Sequence, residues 1–280
     1  MSAIVPDTPQ HVPADSAAAV AAANPPTLTL TGERTIPDLD IENYWFRRHQ
    51  VVYERLQPLC AGRDVLEAGC GEGYGAHLIA EVARRVIAVD YDEDAVAHVR
   101  NRYPSVDVMR ANLAQLPLPE ASMDVVVNFQ VIEHLWDQSQ FVRECARVLR
   151  PSGLLMVSTP NRITFSPGRD TPINPFHTRE LNADELTELL VEAGFADVDM
   201  RGLFHGPLLR EMDARHGGSI IDAQVARAVA DAPWPAELAA DVAAVTTADF
   251  DVIGAGRTGH DDDAPHIDDS LDLIAIAVRR

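Results

Sequence analysis

Cysteine is scarce in this chain of 280 residues. The three that occur, Cys60, Cys70 and Cys145, form no C-x-x-C pair, so the sequence implies no disulfide framework. An odd number of isolated cysteines is typical of a reducing compartment. Cys70 lies inside a run of glycines, and we interpret it as a small packing residue rather than as a nucleophile.

The sequence also lacks long apolar runs and early positive charge. No uninterrupted apolar stretch approaches the roughly 18 residues that a membrane span needs. The first basic residue is Arg34, so the alanine-rich start has no positive region of the kind that opens a secretory signal. Together these absences predict a cytoplasmic protein with no membrane span.

Positive charge is in deficit over the whole chain. There are 43 acidic side chains against 23 basic ones, which gives a formal net charge of −20. Because the field of such a protein opposes a phosphate backbone, no nucleic acid is expected as a partner. The acids at 261–263 with His260 and His266 offer ligands for a divalent cation, but we interpret this run as a solvated loop and predict no metal site.

Helix-like and strand-like patterns alternate through most of the chain, which predicts an α/β fold. Residues 1–26 are rich in alanine and proline and contain no aromatic side chain, so a disordered tail is expected there. The remainder divides into an N-terminal helical cover, an α/β core, an inserted helical or loop subdomain and a terminal strand of the core. Their predicted bounds are 27–62, 63–204, 205–265 and 266–280.

The most informative stretch is 64–90. A short apolar run leads into four alternate glycines, and an amphipathic segment then leads to a second apolar run that ends at Asp90. The glycines are Gly69, Gly71, Gly73 and Gly75. This order predicts a buried strand, a tight turn that no side chain crowds, a helix and a second strand. A ligand can therefore lie directly against the backbone of the turn.

Two families share features of this stretch. Residues 71–76 fit the dinucleotide pattern G-x-G-x-x-A, and Asp90 lies at the spacing at which a carboxylate binds a ribose 2′-hydroxyl. The longer pattern Glu67-x-Gly69-x-Gly71-x-Gly73, followed by Asp90, resembles the first two motifs of class I S-adenosylmethionine-dependent methyltransferases. We favour this family over dinucleotide-dependent dehydrogenases because further motifs follow in the order it expects. They are Asn112-Leu113, Leu116-Pro117, Glu133-His134-Leu135 and Leu149-Arg150-Pro151-x-Gly153.

The resemblance implies a Rossmann-like class I methyltransferase fold, with a mostly parallel seven-stranded sheet and helices on both faces. It also implies S-adenosyl-L-methionine as the cofactor. Asp90 is expected to accept hydrogen bonds from both ribose hydroxyls, since a carboxylate offers paired acceptors. The full set of expected cofactor-binding residues is Tyr44, Arg48, Glu67, Gly69, Gly71, Gly73, Asp90, Tyr91, Asn112, Leu113 and Gln130.

Some of these expectations leave alternatives open. Asn112 and the Leu113 amide are expected at the adenine, although the family more often has aspartate at the first position. Tyr44 and an arginine of the predicted helix at 42–59 are expected at the methionine carboxylate, because a guanidinium presents a planar fork to a carboxylate. That helix instead covers the sheet in the alternative interpretation. Gln130 is expected on the sulfonium side, with packing as its alternative.

Methylation of an alcohol requires that the acceptor hydroxyl lose its proton, and a histidine can take it. The candidates are His134, at the start of a helix predicted over 133–149, and His177, in the polar loop after the fifth predicted strand. His205 is a weaker candidate. Open parallel sheets bind ligands at the carboxyl edge of their strands, so the acceptor site is expected at this loop. A structural role is the alternative for both main candidates.

The opening Gly32-Glu33-Arg34 and the loop Asn174-Pro175-Phe176-His177 resemble a subgroup associated with bacterial polysaccharide and glycan modification. Over nearly its full length the chain is similar to mycobacterial methyltransferases assigned to methylglucose lipopolysaccharide biosynthesis. That resemblance implies a sugar or oligosaccharide acceptor, methylated at the glucose 6-hydroxyl. A methyltransferase for a small phenolic or lipid-linked acceptor and a non-catalytic cofactor-binding protein are the alternatives. A monomer or a homodimer is expected.

Overall fold

The structure, a computed structural model, describes residues 34–230, 232–254 and 265–280. The predicted tail at 1–26 and the acidic run at 260–263 therefore lie outside the described residues. One sheet of eight strands runs through the described part. The strands are β1 (Asp64–Ala68), β2 (Arg85–Asp90), β3 (Asp107–Arg110), β4 (Met123–Phe129), β5 (Leu149–Pro160), β6 (Phe195–His205), β7 (Phe250–Gly254) and β8 (Asp272–Arg279).

The strand order across the sheet is β3-β2-β1-β4-β5-β8-β6-β7. The first five strands are parallel, whereas β8 is antiparallel to its neighbours β5 and β6, and β7 is antiparallel to β6. The prediction of a Rossmann-like α/β fold with a mostly parallel sheet is confirmed, with one strand more than the seven expected. The extra strand is β7, an edge strand of five residues, which is too short to show a clear apolar period.

Helices cover the two faces of the sheet. In the described residues they are α1 (Asn43–Leu56), α2 (Tyr74–Ala80), α3 (Glu93–Arg102), α4 (Gln138–Val148), α5 (Arg162–Phe165), α6 (Ala183–Glu192), α7 (Pro207–Arg215), α8 (Ile220–Val229) and α9 (Ala236–Ala244). Val65 packs in an apolar cluster with residues of α1 and α2, whereas its neighbour Leu66 packs in a second cluster with residues of α4 and α6. Both are fully buried, as expected for parallel strands covered on both faces.

The helix predicted over 133–149 begins later than expected. The Asp137 side chain accepts a hydrogen bond from the backbone amide of Gln140 and caps α4. Residues Ile132–His134 form a 3-10 turn instead. An N-cap residue marks the start of a helix, so α4 begins after Asp137. Glu133 and His134 therefore lie in the connection after β4, at the carboxyl edge of the parallel strands.

The N-terminal helix packs against the segment that links β6 to β7. The Asn43 side-chain amide donates hydrogen bonds to the carbonyl oxygens of Val242 and Val245, each at 2.9 Å. Apolar residues of α7, α8 and α9 join the same cluster as α1. This segment therefore covers the same face of the sheet as the N-terminal helix. Every helix in the described residues is too short or too polar to span a bilayer.

Candidate active site

Asp90, at the end of β2, is hydrogen-bonded to the glycine turn. Its Oδ2 accepts from the Gly71 backbone amide at 2.8 Å, and its Oδ1 accepts from the Asp92 amide at 2.9 Å. Gly69, Gly71 and Gly73 have φ angles of +87°, +52° and +95°, a region that favours glycine. The carboxylate thus lies beside an open stretch of backbone, as the sequence predicts for a ribose-binding acid.

Close packing joins this turn to the connection after β4. A Cβ atom at Gly69 would lie 2.6 Å from Cγ1 of Val131, and one at Gly73 would lie 2.6 Å from Cγ2 of Val99. Real side chains do not approach so closely, so neither position accepts a larger residue without movement. Because Val131 leads into Glu133 and His134, the glycine turn and the expected acceptor edge are direct neighbours.

Glu67, the acid that opens the glycine motif, is buried below the turn. The Tyr53 hydroxyl donates to its Oε1 at 2.6 Å, whereas its Oε2 has no hydrogen-bond partner among the described residues. Burial raises the pKa of Glu67 to about 8. A buried carboxylate oxygen without a partner is costly, and a positively charged ligand group would stabilise it.

The residues expected at the adenine lie beside Asp90. The amide of Ala111, just after β3, donates to the Asp90 carbonyl at 2.9 Å. Asn112 is exposed, and its Oδ1 accepts from the Ala114 amide at 2.9 Å. Leu113 is buried, whereas Tyr91 is 68% exposed. Their place at the carboxyl ends of β2 and β3 agrees with the expected adenine end, and their individual contacts stay predictions.

Gln130 directly follows β4 and has a left-handed conformation, with φ of 56°. Its backbone amide donates to the Ser158 carbonyl at 2.8 Å, and its side-chain amide donates to the Ser158 hydroxyl at 3.2 Å. Such a conformation is uncommon for a residue with a side chain and is retained where the surroundings hold it. Gln130 therefore ties the connection after β4 to β5, on the side of the site where the sulfonium is expected.

The structure contradicts the assignment of Tyr44 and Arg48 to the methionine carboxylate. Arg48 is buried and forms a two-pronged ion pair with Asp272, with N–O distances of 2.8 and 2.6 Å. Tyr44 is fully buried, and its hydroxyl donates to His205 Nε2 at 2.6 Å. The physical reason is helical spacing: positions four apart lie on one helix face, and here that face packs against the sheet.

The same contacts weaken the case for His205 as a base. Its Nδ1 donates to Asp213 at 2.7 Å, and its Nε2 accepts from Tyr44. Both ring nitrogens are therefore engaged, so the side chain has no free lone pair to offer an acceptor hydroxyl. Together Tyr44, His205 and Asp213 join α1, β6 and α7 through a hydrogen-bonded chain.

Arg34 is a residue near the turn that sequence reasoning did not single out. Its guanidinium pairs with Asp92 at 2.7 Å, and its Cβ lies 3.9 Å from the place that a Cβ of Gly71 would occupy. The chain at Arg34 therefore passes over the glycine turn next to Asp90. The signal was present in the Gly32-Glu33-Arg34 motif, which indicated a subgroup rather than a contact.

His134 and His177 meet at the carboxyl edge of β4 and β5. Their ring centroids are 4.8 Å apart and their planes are nearly perpendicular. His134 Nδ1 donates to the Phe176 carbonyl oxygen at 3.1 Å. His177 Nδ1 donates to the Glu180 carboxylate at 2.7 Å, and its Nε2 accepts from the Asn174 side-chain amide at 3.0 Å. The two candidates predicted from distant parts of the sequence thus belong to one cluster.

Two buried acids accompany these histidines. Glu133 accepts a hydrogen bond from the Thr159 hydroxyl at 2.9 Å, and burial raises its pKa to about 7. Glu180 is also buried, and its Oε2 has no partner among the described residues. Burial and the nearby His177 lower the pKa of His134, which keeps its imidazole neutral. Sequence reasoning missed Glu180, although its spacing of three from His177 was a usable signal.

Comparisons with known proteins show the family of this chain. Residues 66–157 match the family model described as a methyltransferase domain. A probable S-adenosylmethionine-dependent methyltransferase of Mycobacterium tuberculosis is 78% identical over 279 residues, which is 100% of both chains. A ubiquinone biosynthesis O-methyltransferase of Rhizobium etli is 28% identical over 176 residues, covering 55% of this chain and 71% of that protein. A Thermotoga maritima structure, described as a possible histamine N-methyltransferase, has a TM-score of 0.57 at 16% identity, covering 86% of this chain and 99% of that one.

The chain belongs to the S-adenosylmethionine-dependent methyltransferases. It is an enzyme, and its cofactor is S-adenosyl-L-methionine. The glycine turn has room for a ligand at Gly71, where an added Cβ atom would have no neighbour closer than 3.9 Å and the backbone amide donates to Asp90. The favoured interpretation over a dinucleotide-dependent dehydrogenase is confirmed. The likeness to the solved structure, at 16% identity, establishes the fold alone.

Asp90 supplies the first prediction. Replacing it with alanine, Asp90→Ala, should weaken binding of S-adenosylhomocysteine by at least about 10-fold, because hydrogen bonds to a charged group contribute about 1.5 to 3 kcal/mol. Titration calorimetry with this non-reacting product measures the affinity. Asp107→Ala, at an exposed acid of β3 paired with Arg85, is the control. Unchanged affinity in Asp90→Ala would contradict the assignment.

Arg48 supplies a second prediction. Arg48→Met should lower the free energy of unfolding by about 3 to 5 kcal/mol, because it leaves the buried Asp272 carboxylate without its partner. Urea unfolding measures this loss, with the neighbouring Arg47→Met as the matched control. Cofactor affinity of the folded protein should change little. A variant that is stable yet has lost cofactor affinity would restore Arg48 to the methionine carboxylate.

Proposed function

We propose that the protein is an O-methyltransferase for a sugar hydroxyl, with the glucose 6-hydroxyl in methylglucose lipopolysaccharide biosynthesis as its acceptor. The observation that carries the proposal is the imidazole cluster of His134 and His177 next to the glycine turn. A hydroxyl needs help to lose its proton, and imidazole is suited to that task near neutral pH. The loop that resembles glycan-modifying methyltransferases is the one that supplies His177.

S-adenosylmethionine supplies a methyl group that its sulfonium already activates. The protein must therefore align the acceptor oxygen and manage its proton, and alignment alone is worth effective molarities on the order of 10⁵ to 10⁸ M. The residues proposed to hold the cofactor are Glu67, Asp90 and the glycines of the turn.

His134 has the more accessible lone pair of the two histidines. Its Nδ1 hydrogen bond to the Phe176 carbonyl fixes the ring, and no partner for Nε2 occurs among the described residues. Its lowered pKa keeps that nitrogen unprotonated. His177 is held by Glu180 through Nδ1, but Asn174 must move before Nε2 can accept a proton.

The surroundings of the two histidines suit a carbohydrate. Trp136 is 93% exposed and Phe176 is 43% exposed, and apolar ring faces of this kind can stack on a pyranose. A cleft of about 240 Å³ adjoins Glu180 and is lined by both donors and acceptors. Its polar side chains include Arg162, Arg169, Thr178, Arg179, Glu180 and Glu185. A mixed lining of forked donors and carboxylates matches the paired hydroxyls of a sugar.

A phenolic acceptor is the second candidate, because a relative that is 28% identical is named a ubiquinone biosynthesis O-methyltransferase. Labelled methyl transfer from S-adenosylmethionine to a panel of acceptors separates the two. We expect transfer to α-1,4-linked glucose oligosaccharides and none to a catechol or a prenylated phenol. Transfer to the phenols alone would replace the sugar proposal, and cofactor binding without transfer to any class would favour a non-catalytic protein.

The pH profile tests the role of His134. Its neutral form accepts the proton, and a pKa below the ordinary 6.5 preserves that form as the medium is acidified. Activity should therefore fall only below about pH 6.5, as the pH passes through the lowered pKa of His134 and its imidazole becomes protonated. His134→Ala should lose about 10² to 10⁴ in kcat, with S-adenosylhomocysteine affinity retained.

His77→Ala, on the exposed face of α2, is the control for this profile and should keep the parent rate. His177→Ala is compared under the same conditions. Unchanged turnover in both cluster variants would remove the histidines from the mechanism.

A further inference from the structure

Three potential metal ligands converge at the acceptor edge. One ring nitrogen of His134, one of His177 and one carboxylate oxygen of Glu133 all lie within 4.8 Å of one another. Within 34–230, 232–254 and 265–280, no other three side chains of these types bring their ligand atoms so close together. Sequence reasoning gave no metal site, because Glu133 and His177 are 44 positions apart and the α4 pattern placed Glu133 on a helix.

The donor set is selective for certain ions. Two imidazoles and one carboxylate suit Zn²⁺, Fe²⁺, Mn²⁺ or Co²⁺, whereas Mg²⁺ and Ca²⁺ prefer sites built from oxygen alone. Three protein ligands leave at least one coordination position open, the arrangement found in catalytic rather than structural zinc sites. His134 is only half-buried, so the cluster is accessible from solvent on the side of this residue.

Further hydrogen bonds hold the three side chains in place. His134 donates its Nδ1 proton to a carbonyl oxygen, His177 donates its Nδ1 proton to the Glu180 carboxylate, and Glu133 accepts from Thr159. Metal-ligating histidines typically make this kind of contact through the nitrogen that does not bind the metal. Both Nε2 atoms are thereby oriented as ligands, although Asn174 must release that of His177.

The local charge favours a cation. Glu133 and Glu180 are buried within the cluster, and the nearby Arg48 is already paired with Asp272. The Glu180 Oε2 has no hydrogen-bond partner among the described residues, and a divalent ion beside His177 would supply an opposite charge for these acids.

We infer that Glu133, His134 and His177 form a binding site for one divalent transition-metal ion at the acceptor edge of the cleft. Ligand atoms around tetrahedral zinc lie about 3 to 3.5 Å apart, so the three side chains must close by about 1 Å when the ion binds. Rotation of side chains suffices for a movement of that size, since Glu133 and His134 lie in a single 3-10 turn and His177 lies in a loop.

The role of the ion, unlike its binding, rests on the proposed function. An acceptor hydroxyl at the open position would become more acidic and lose its proton to water, leaving its oxygen as the nucleophile. His134 and His177 then act as ligands, and neither accepts the proton. Direct proton transfer to imidazole and metal assistance therefore use the same lone pairs and exclude each other within one catalytic cycle.

Metal titration tests the site without any acceptor. Tag-free protein is stripped with a chelator, and Co²⁺ is added while visible absorption is followed; Zn²⁺ is titrated by calorimetry. We expect one ion per chain, with cobalt bands typical of nitrogen and oxygen ligands. Glu133→Gln, His134→Ala and His177→Ala should each weaken binding by at least about 10-fold. His77→Ala is the control and should leave both titrations unchanged, and circular dichroism verifies that each variant is folded.

The outcomes separate the site from the reaction. Absence of stoichiometric binding, or binding that none of the three substitutions weakens, would overturn the metal site and leave the O-methyltransferase proposal standing. Full activity of the stripped enzyme on a glucose oligosaccharide would overturn the role of the ion in catalysis. A third outcome is that the protein binds the ion, that the three substitutions abolish this binding, and that the protein methylates none of the acceptors. This outcome would support the metal site and defeat the sugar proposal.

Discussion

The cleft depends on the absence of a side chain at Gly69. A Cβ atom there would lie 2.6 Å from Val131, and the backbone φ of +87° disfavours any other residue. The turn after β1 therefore packs directly against the connection after β4. Because that connection continues into Glu133 and His134, this one contact sets the distance between the donor side and the acceptor side, on which in-line methyl transfer depends.

Buried acids give the cleft its preference for positive charge. Glu67 and Glu133 are each 1% exposed, and burial raises the pKa of the first to about 8 and of the second to about 7. Keeping carboxylates in such places is unfavourable in the free protein, and binding a cationic ligand relieves the cost.

Sequence predicted the contiguous part of the site better than the parts that long-range contacts build. The stretch 64–90 is contiguous, so the glycine spacing and Asp90 were sufficient to predict a turn with a carboxylate beside it. Arg48 was assigned wrongly because its partner, Asp272, lies 224 positions away, and no local pattern indicates such a pair. His134 was predicted at the start of a helix for a different reason. The apolar period of α4 extends upstream of the helix, but Asp137 is its N-terminal cap, so α4 begins only after that residue.

This division follows from how the two sides are built. The donor side comes from consecutive strand and turn units, and the methyltransferase family match spans only residues 66–157. The proposed acceptor side combines the connection after β4 with the loop at 174–180, where His134 and His177 meet. Other long-range contacts, among them the Arg48 pair with Asp272 and the hydrogen-bonded chain through His205, hold α1 against β8, β6 and α7. Members of one fold can therefore share the donor half and differ in the acceptor half, so the acceptor is encoded in tertiary contacts that a motif does not contain.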